Sequence, residues 1–187
     1  HSKLMIVDDR VAILGSANIN DRSLLGIRDS ELAVIVEDAQ EVDSTLNGQP
    51  VKVAKCVHDL RMRLFQEHLG LLHLPADDPQ VMALRDPICD AFYHGVLRHQ
   101  ASLNTQIYRE LFHCLPDDVV DTWEEYKRFT EVPKVFTLDE TLGVERMANL
   151  NCIKGSIVLF HTDFLCKEDL AASMLSPEFL LPIEVYI

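Results

Sequence analysis

Three short apolar runs open the chain. Leu4-Met5-Ile6-Val7 and Val11-Ala12-Ile13-Leu14 are separated by Asp8-Asp9-Arg10, and Leu32 to Val36 follows a polar, small-residue loop from Gly15 to Arg28. Each run is too short for a helix and is continuous rather than alternating. The pattern predicts three strands of one sheet covered on both faces, the first two joined by a tight polar turn. Residues 37–50 are polar and carry Asn47-Gly48, a turn signal. From Val53 the spacing lengthens, and Val57, Leu60, Leu64 and Leu69 predict a helix closing near Gly70. Residues 71–87, with three prolines, read as a surface loop. Ile88, Phe92, Val96 and Leu97 predict a second helix, and Ile107, Leu111 and Phe112 a third that closes before Pro116. Residues 121–129 predict a short acidic helix carrying Trp123. Residues 156–160 read as a strand, and a short helix is expected near 169–174. The fold class expected is α/β, a mixed sheet flanked by helices. One domain would hold motif strands and loop (1–37), a helical excursion (53–130) and a terminal strand, helix and tail (156–187).

Composition narrows this picture. With 48% hydrophobic and 25% charged residues the chain reads as globular, and no apolar run approaches the roughly 20 residues of a membrane span. The five cysteines, Cys56, Cys89, Cys114, Cys152 and Cys166, are scattered, with no CxxC pair. They read as scattered buried thiols in a reducing, cytoplasmic setting rather than a zinc site or a disulfide framework. The net charge of −13 argues against nucleic acid as a partner. It is uneven: residues 1–37 hold four Lys/Arg against six Asp/Glu, the remaining 150 hold 13 against 24. The acidity therefore belongs to the later segment.

The candidate chemistry sits in that nearly neutral start. His1, Lys3, Asp8, Gly15, Ser16 and Asn18 form the pattern HxKxxxxDxxxxxxGSxN, which chance would produce about once in 10⁸ start positions. On a strand, positions i and i+2 share a face, so His1 and Lys3 project together. Asn18 follows the next strand and can reach the same sheet edge. An imidazole can attack phosphorus or protonate a leaving oxygen. An ammonium and an amide can bind the non-bridging oxygens where charge builds up. The chemistry requires no metal or other cofactor. The imidazole needs an orienting acceptor. Asp8 stands about 23 Å along the strand from His1, so Glu31, at the entry to the third strand, is the expected orienter. Asp8 is expected to serve the turn or an ion pair, and Ser16 to support the site.

The segment from His1 to Asp38, with GSANINDRSLLG and RDSELAV, resembles the second catalytic motif of eukaryotic phospholipases D. The likeness continues through LRDPICDAFY and IYRELFHCLPDD. It ends at PIEVYI, where Tyr186 and Ile187 stand in place of the family's terminal Trp and Thr. The resemblance implies hydrolysis of phosphatidylcholine to phosphatidic acid and choline through a phosphohistidine, with transfer to primary alcohols. It makes His1 the acid that protonates the leaving choline oxygen, and Lys3, Asn18 and Ser16 the phosphate-side residues. It further implies peripheral attachment to a phospholipid membrane surface, a phosphoinositide activator and small GTPases as partners. Two such motifs, one from each half, meet in this family. No HxK recurs after residue 18, so the chain is expected to be a C-terminal piece, active only with an N-terminal half carrying the first motif.

Other features read as structural. His58, His68, His94, His99 and His113 suit surface or capping positions. Trp123, Tyr126 and Phe129 suit a packing stripe. Asp117, Asp118, Asp121, Glu124 and Glu125 suit a solvated face. Arg22 and Arg28 suit pairing with the protein's own carboxylates. The rival functions are a nuclease or other phosphodiesterase of the same superfamily, disfavoured by the charge and by RDSELAV, and a non-catalytic interaction module.

Overall fold

The computed structural model describes residues 2–132 and 149–171. His1, the altered tail at Tyr186 and Ile187, and most of the helix expected near 169–174 lie outside the described residues. The α/β class is as expected. The described residues divide into two compact units: residues 2–45, 49–62 and 170–171, and residues 46–48, 63–132 and 149–169.

In the first unit, β1 (Leu4–Val7), β2 (Val11–Gly15) and β3 (Ala33–Glu37) form an antiparallel sheet in sequence order. The mixed sheet expected from sequence is thus antiparallel over these strands, because a turn and a returning loop join them rather than crossover helices. Opposed residues share a face. The row Ile6, Ala12 and Val36 packs on Ala54, Val57 and Leu60, which forms the unit's core. The opposite row leaves Met5, Val7 and Ile35 exposed. The expected cover on both faces is therefore found on one only: one apolar surface lies against the sheet, and nothing among the described residues covers the other. At the β1–β2 turn, Asp8 and Asp9 are both left-handed, at φ 51° and 52°, a conformation that Asp tolerates better than most residues. The Arg10 N–H donates to the Val7 carbonyl at 2.9 Å.

The loop from β2 to β3 contains one helical turn, α1 (Asp21–Leu24), capped by Asn20. A hairpin then follows, β4 (Glu41–Leu46) and β5 (Gln49–Ala54), turning on left-handed Asn47 and Gly48. Only the turn was legible. β4 reads Glu-Val-Asp-Ser-Thr-Leu, which lacks the apolar density that marks a strand. The helix expected from Val53 starts two residues later, as α2 (Lys55–His68), since Val53 and Ala54 are used by β5.

In the second unit, a short turn α3 (Pro79–Met82) precedes α4 (Asp90–Phe92). That helix passes through a wider π-helical stretch, Tyr93–Arg98, into α5 (His99–Phe112). The two helices expected here are one continuous run: between their apolar clusters Arg98 and His99 face solvent while Asn104 and Thr105 are buried, and none of them breaks it. Phe65 stacks on buried Phe92 at 5.7 Å, and Val81, Leu84 and Leu111 are buried with it. The acidic helix is α6 (Trp123–Glu131), closed at its start by a Thr122–Glu125 capping box.

Residues 157–160 form no strand. Their partner is a helix. Buried Asn104 donates to the Lys154 and Ile157 carbonyls at 2.8 Å, and Thr105 accepts the Leu159 N–H at 2.8 Å. Gly155 allows a second close approach, to the end of α2: at φ +66°, a Cβ there would lie 1.9 Å from the His68 carbonyl oxygen. The acidic stretch is not a simple solvated face either. Asp117 is buried against Arg109 at 2.6 and 2.8 Å, Asp118 accepts the Asp163 N–H, and Asp121 pairs with Lys167.

Candidate functional site

The open end of the sheet, opposite the Asp8-Asp9 turn, gathers the motif. The Gly15 N–H donates to the Lys3 carbonyl at 3.2 Å, and the Ser16 N–H to the Leu32 carbonyl at 2.9 Å. Gly15 is needed there. A Cβ at that position would sit 2.6 Å from the Leu32 carbonyl oxygen, forcing the entry of β3 away from β2.

Two hydroxyls then organise the loop. Ser16 accepts the Leu32 N–H at 3.0 Å and donates to Glu31 Oε2. Ser23 donates to Glu31 Oε1 and accepts the Asn18 N–H at 3.0 Å. Asn20 Oδ1 accepts the Ser23 N–H at 3.1 Å. Across the loop, Arg22 pairs with Asp29 at 2.9 Å, as expected for that arginine. The hydrogen bonds from Ser16 and Ser23, with Lys3 and Arg22 nearby, hold the Glu31 carboxyl below the usual range although desolvation opposes them.

Lys3, Ser16, Asn18, Ser23, Arg28 and Glu31 line a polar pocket of about 480 Å³. A second cavity of about 400 Å³ shares Lys3 and Asn18 but is otherwise mostly apolar, lined by Leu4, Met5, Ile13, Ile19, Leu24 and neighbours. The structure thus brings Lys3, Ser16 and Asn18 of the spaced pattern, together with Glu31, to one pocket. The expected hydrogen bond between Glu31 and His1 lies outside the described residues.

Asp8 stands at the other end, exposed in the turn. Its neighbour Asp9 takes the ion pair. Asp9 Oδ1 accepts from Arg61 Nε at 2.8 Å, and Oδ2 from Arg61 Nη2 at 2.7 Å and lies 2.8 Å from His58 Nδ1. Burial disfavours the charged carboxyl, but the hydrogen bonds and charges of Arg61 and His58 outweigh it, and the Asp9 pKa is lowered. His58 is accordingly an interior partner rather than a surface residue.

Sequence reasoning missed Ser23, Asn20 and Asp9. Asn20 could have been found as an N-cap, three residues before Ser23. Asp9 carried no signal that separated it from Asp8.

A family model described as Phospholipase D matches residues 1–103. Phospholipase D zeta 1 of Arabidopsis thaliana is 39% identical over 204 residues, taking in all of this chain and 18% of that protein. Phospholipase D1 of Homo sapiens is 39% identical over 186 residues, covering all of this chain and 17% of the protein. Phospholipase D C of Dictyostelium discoideum is 40% identical over 178 residues, covering 94% of the chain and 10% of the protein. The chain therefore spans less than a fifth of the length of these curated relatives. Since the family model takes in more than half of the chain, and does so across the sheet and pocket described above, the chain belongs to the phospholipase D family.

Proposed function

We propose that this chain supplies part of the second half of the two-motif catalytic domain of a phospholipid phosphodiesterase. Joined to a half carrying the first motif, it would hydrolyse phosphatidylcholine to phosphatidic acid and choline, and transfer the phosphatidyl group to primary alcohols. One histidine nitrogen attacks phosphorus and the P–O bond to choline breaks. His1, as the acid, gives its proton to the leaving oxygen. It then takes a proton from water, or from an alcohol, as that oxygen displaces the phosphohistidine nitrogen. Lys3 and the Asn18 amide hold the non-bridging oxygens, where charge concentrates. Glu31 is proposed to orient His1 and favour its protonated form, and its lowered pKa keeps it anionic in that role.

The observation that carries this reading is the junction at Lys3 and Asn18 of a polar pocket with an apolar groove. Such a pair of cavities suits an amphiphile with a phosphodiester head better than a polyanion. Peripheral attachment to membranes and response to a phosphoinositide and small GTPases are part of the proposal and rest on the resemblance. The test is the full-length protein on phosphatidylcholine vesicles containing ethanol. Release of choline together with phosphatidylethanol is expected. Cleavage of a nucleic acid with no choline release would favour the nuclease alternative, and neither activity would favour an interaction module.

A further inference from the structure

The loop between β2 and β3 is wired the wrong way round for a loop exposed to water. Its polar groups, though partly exposed, are tied to one another: Ser23 to Glu31, Asn20 to Ser23, and Arg22 to Asp29. Its aliphatic side chains point out. Ile19 is 87% exposed, Leu24 66%, Leu25 59% and Ile27 83%. Isolated exposed aliphatics are ordinary, but four within nine residues on an internally hydrogen-bonded loop form a patch that calls for a partner.

We propose that residues 19–27 are a membrane-seating loop, with these four side chains entering the apolar edge of a phospholipid bilayer. The inference rests on the reading of the neighbouring pocket as a phospholipid-phosphate site. Two observations favour a bilayer over a protein partner. The loop forms the rim of that pocket, because Asn18, Arg22, Ser23 and Arg28 line it while Ile19, Leu24, Leu25 and Ile27 project from the same segment. A lipid phosphate reaching Lys3 would bring its own membrane against the rim. The charge distribution agrees. Within residues 19–29, Arg22 and Arg28 balance Asp21 and Asp29, so the loop is neutral in a chain of net −13 and is not itself repelled by an anionic surface.

The test uses the full-length protein with Leu25→Ser and Ile27→Ser together, since neither side chain lines the polar pocket or the groove. Sedimentation with phosphatidylcholine–phosphatidylserine vesicles reads binding without turnover. Hydrolysis of monomeric dibutyryl phosphatidylcholine reads the site without a membrane. Vesicle binding is expected to weaken about tenfold or more, with turnover of the soluble substrate unchanged within about twofold. Ile27→Trp is expected to restore or strengthen binding, because Trp favours the interface. Unchanged vesicle binding in the double variant would overturn the proposal. So would a joint fall in melting temperature and soluble turnover, which would mean that protein covers the loop. If the unaltered protein fails to hydrolyse the soluble substrate, the phosphodiesterase reading falls while the binding result still decides the loop.

Discussion

The two ends of one three-stranded sheet are built on opposite principles. At the turn end, Asp9 is buried and its carboxylate is gripped by Arg61 and His58, with the Ala54 N–H donating to its carbonyl at 3.0 Å. At the open end, Glu31 is exposed, and its two oxygens are taken by the hydroxyls of Ser16 and Ser23. Both carboxyls are held below the ordinary range, by different means. Buried charge pairs lock the turn end. Neutral hydroxyls fix the open end, where Lys3 and Asn18 line the polar pocket. On the proposed function, the same segment carries residues for stability and residues for chemistry, and their separation along a strand keeps the two apart.

The largest effect that would sharpen this comparison lies at the turn end. Arg61→Ala in the full-length protein leaves the Asp9 charge buried without its guanidinium partner. It should cost about 3–5 kcal/mol of stability, read from urea unfolding. A cost under about 1 kcal/mol would mean that the cluster is solvated like a surface pair.

The pH dependence follows with a definite sign. Because the folded Asp9 carboxyl titrates below its unfolded value of about 3.9, its contribution is complete above that pH. It fades as pH falls through the lowered native value. Acid unfolding should begin below about pH 4–5, and Arg61→Ala should flatten that limb. The variant's unfolding free energy, followed from neutral pH downward, checks this.

A smaller effect separates the ends kinetically. Ser23→Ala removes the hydroxyl shared by Glu31 and the Asn18 N–H. It should lower kcat/KM about tenfold with little change in melting temperature, and Ser23→Thr should recover most of the loss. Equal losses from the alanine and threonine variants would make Ser23 a matter of packing alone.

Much of this arrangement was legible in the residues. Continuous apolar runs gave β1, β2 and β3 within a residue, and the spacing named Lys3, Ser16 and Asn18, which line one pocket. What escaped depends on partners distant in sequence. Asp8 and Asp9 are indistinguishable until α2 brings Arg61 to one of them. Residues 157–160 look like a strand because they are apolar, yet their hydrogen bonds go to Asn104 and Thr105 on a helix. β4 is too polar to announce itself, and the π-helical stretch around Gly95 hid one long helix behind two clusters.

The central claim is that the open end of the sheet performs the chemistry and the turn end does not. It is tested most directly by comparing Lys3→Ala with Arg61→Ala in the full-length protein, reading choline release and melting temperature on the same samples. Lys3→Ala should lose about 10²–10³-fold in kcat/KM at an unchanged melting temperature, while Arg61→Ala should lower the melting temperature and retain kcat/KM in the cold, where it remains folded. Choline release that survives Lys3→Ala undiminished would contradict the account.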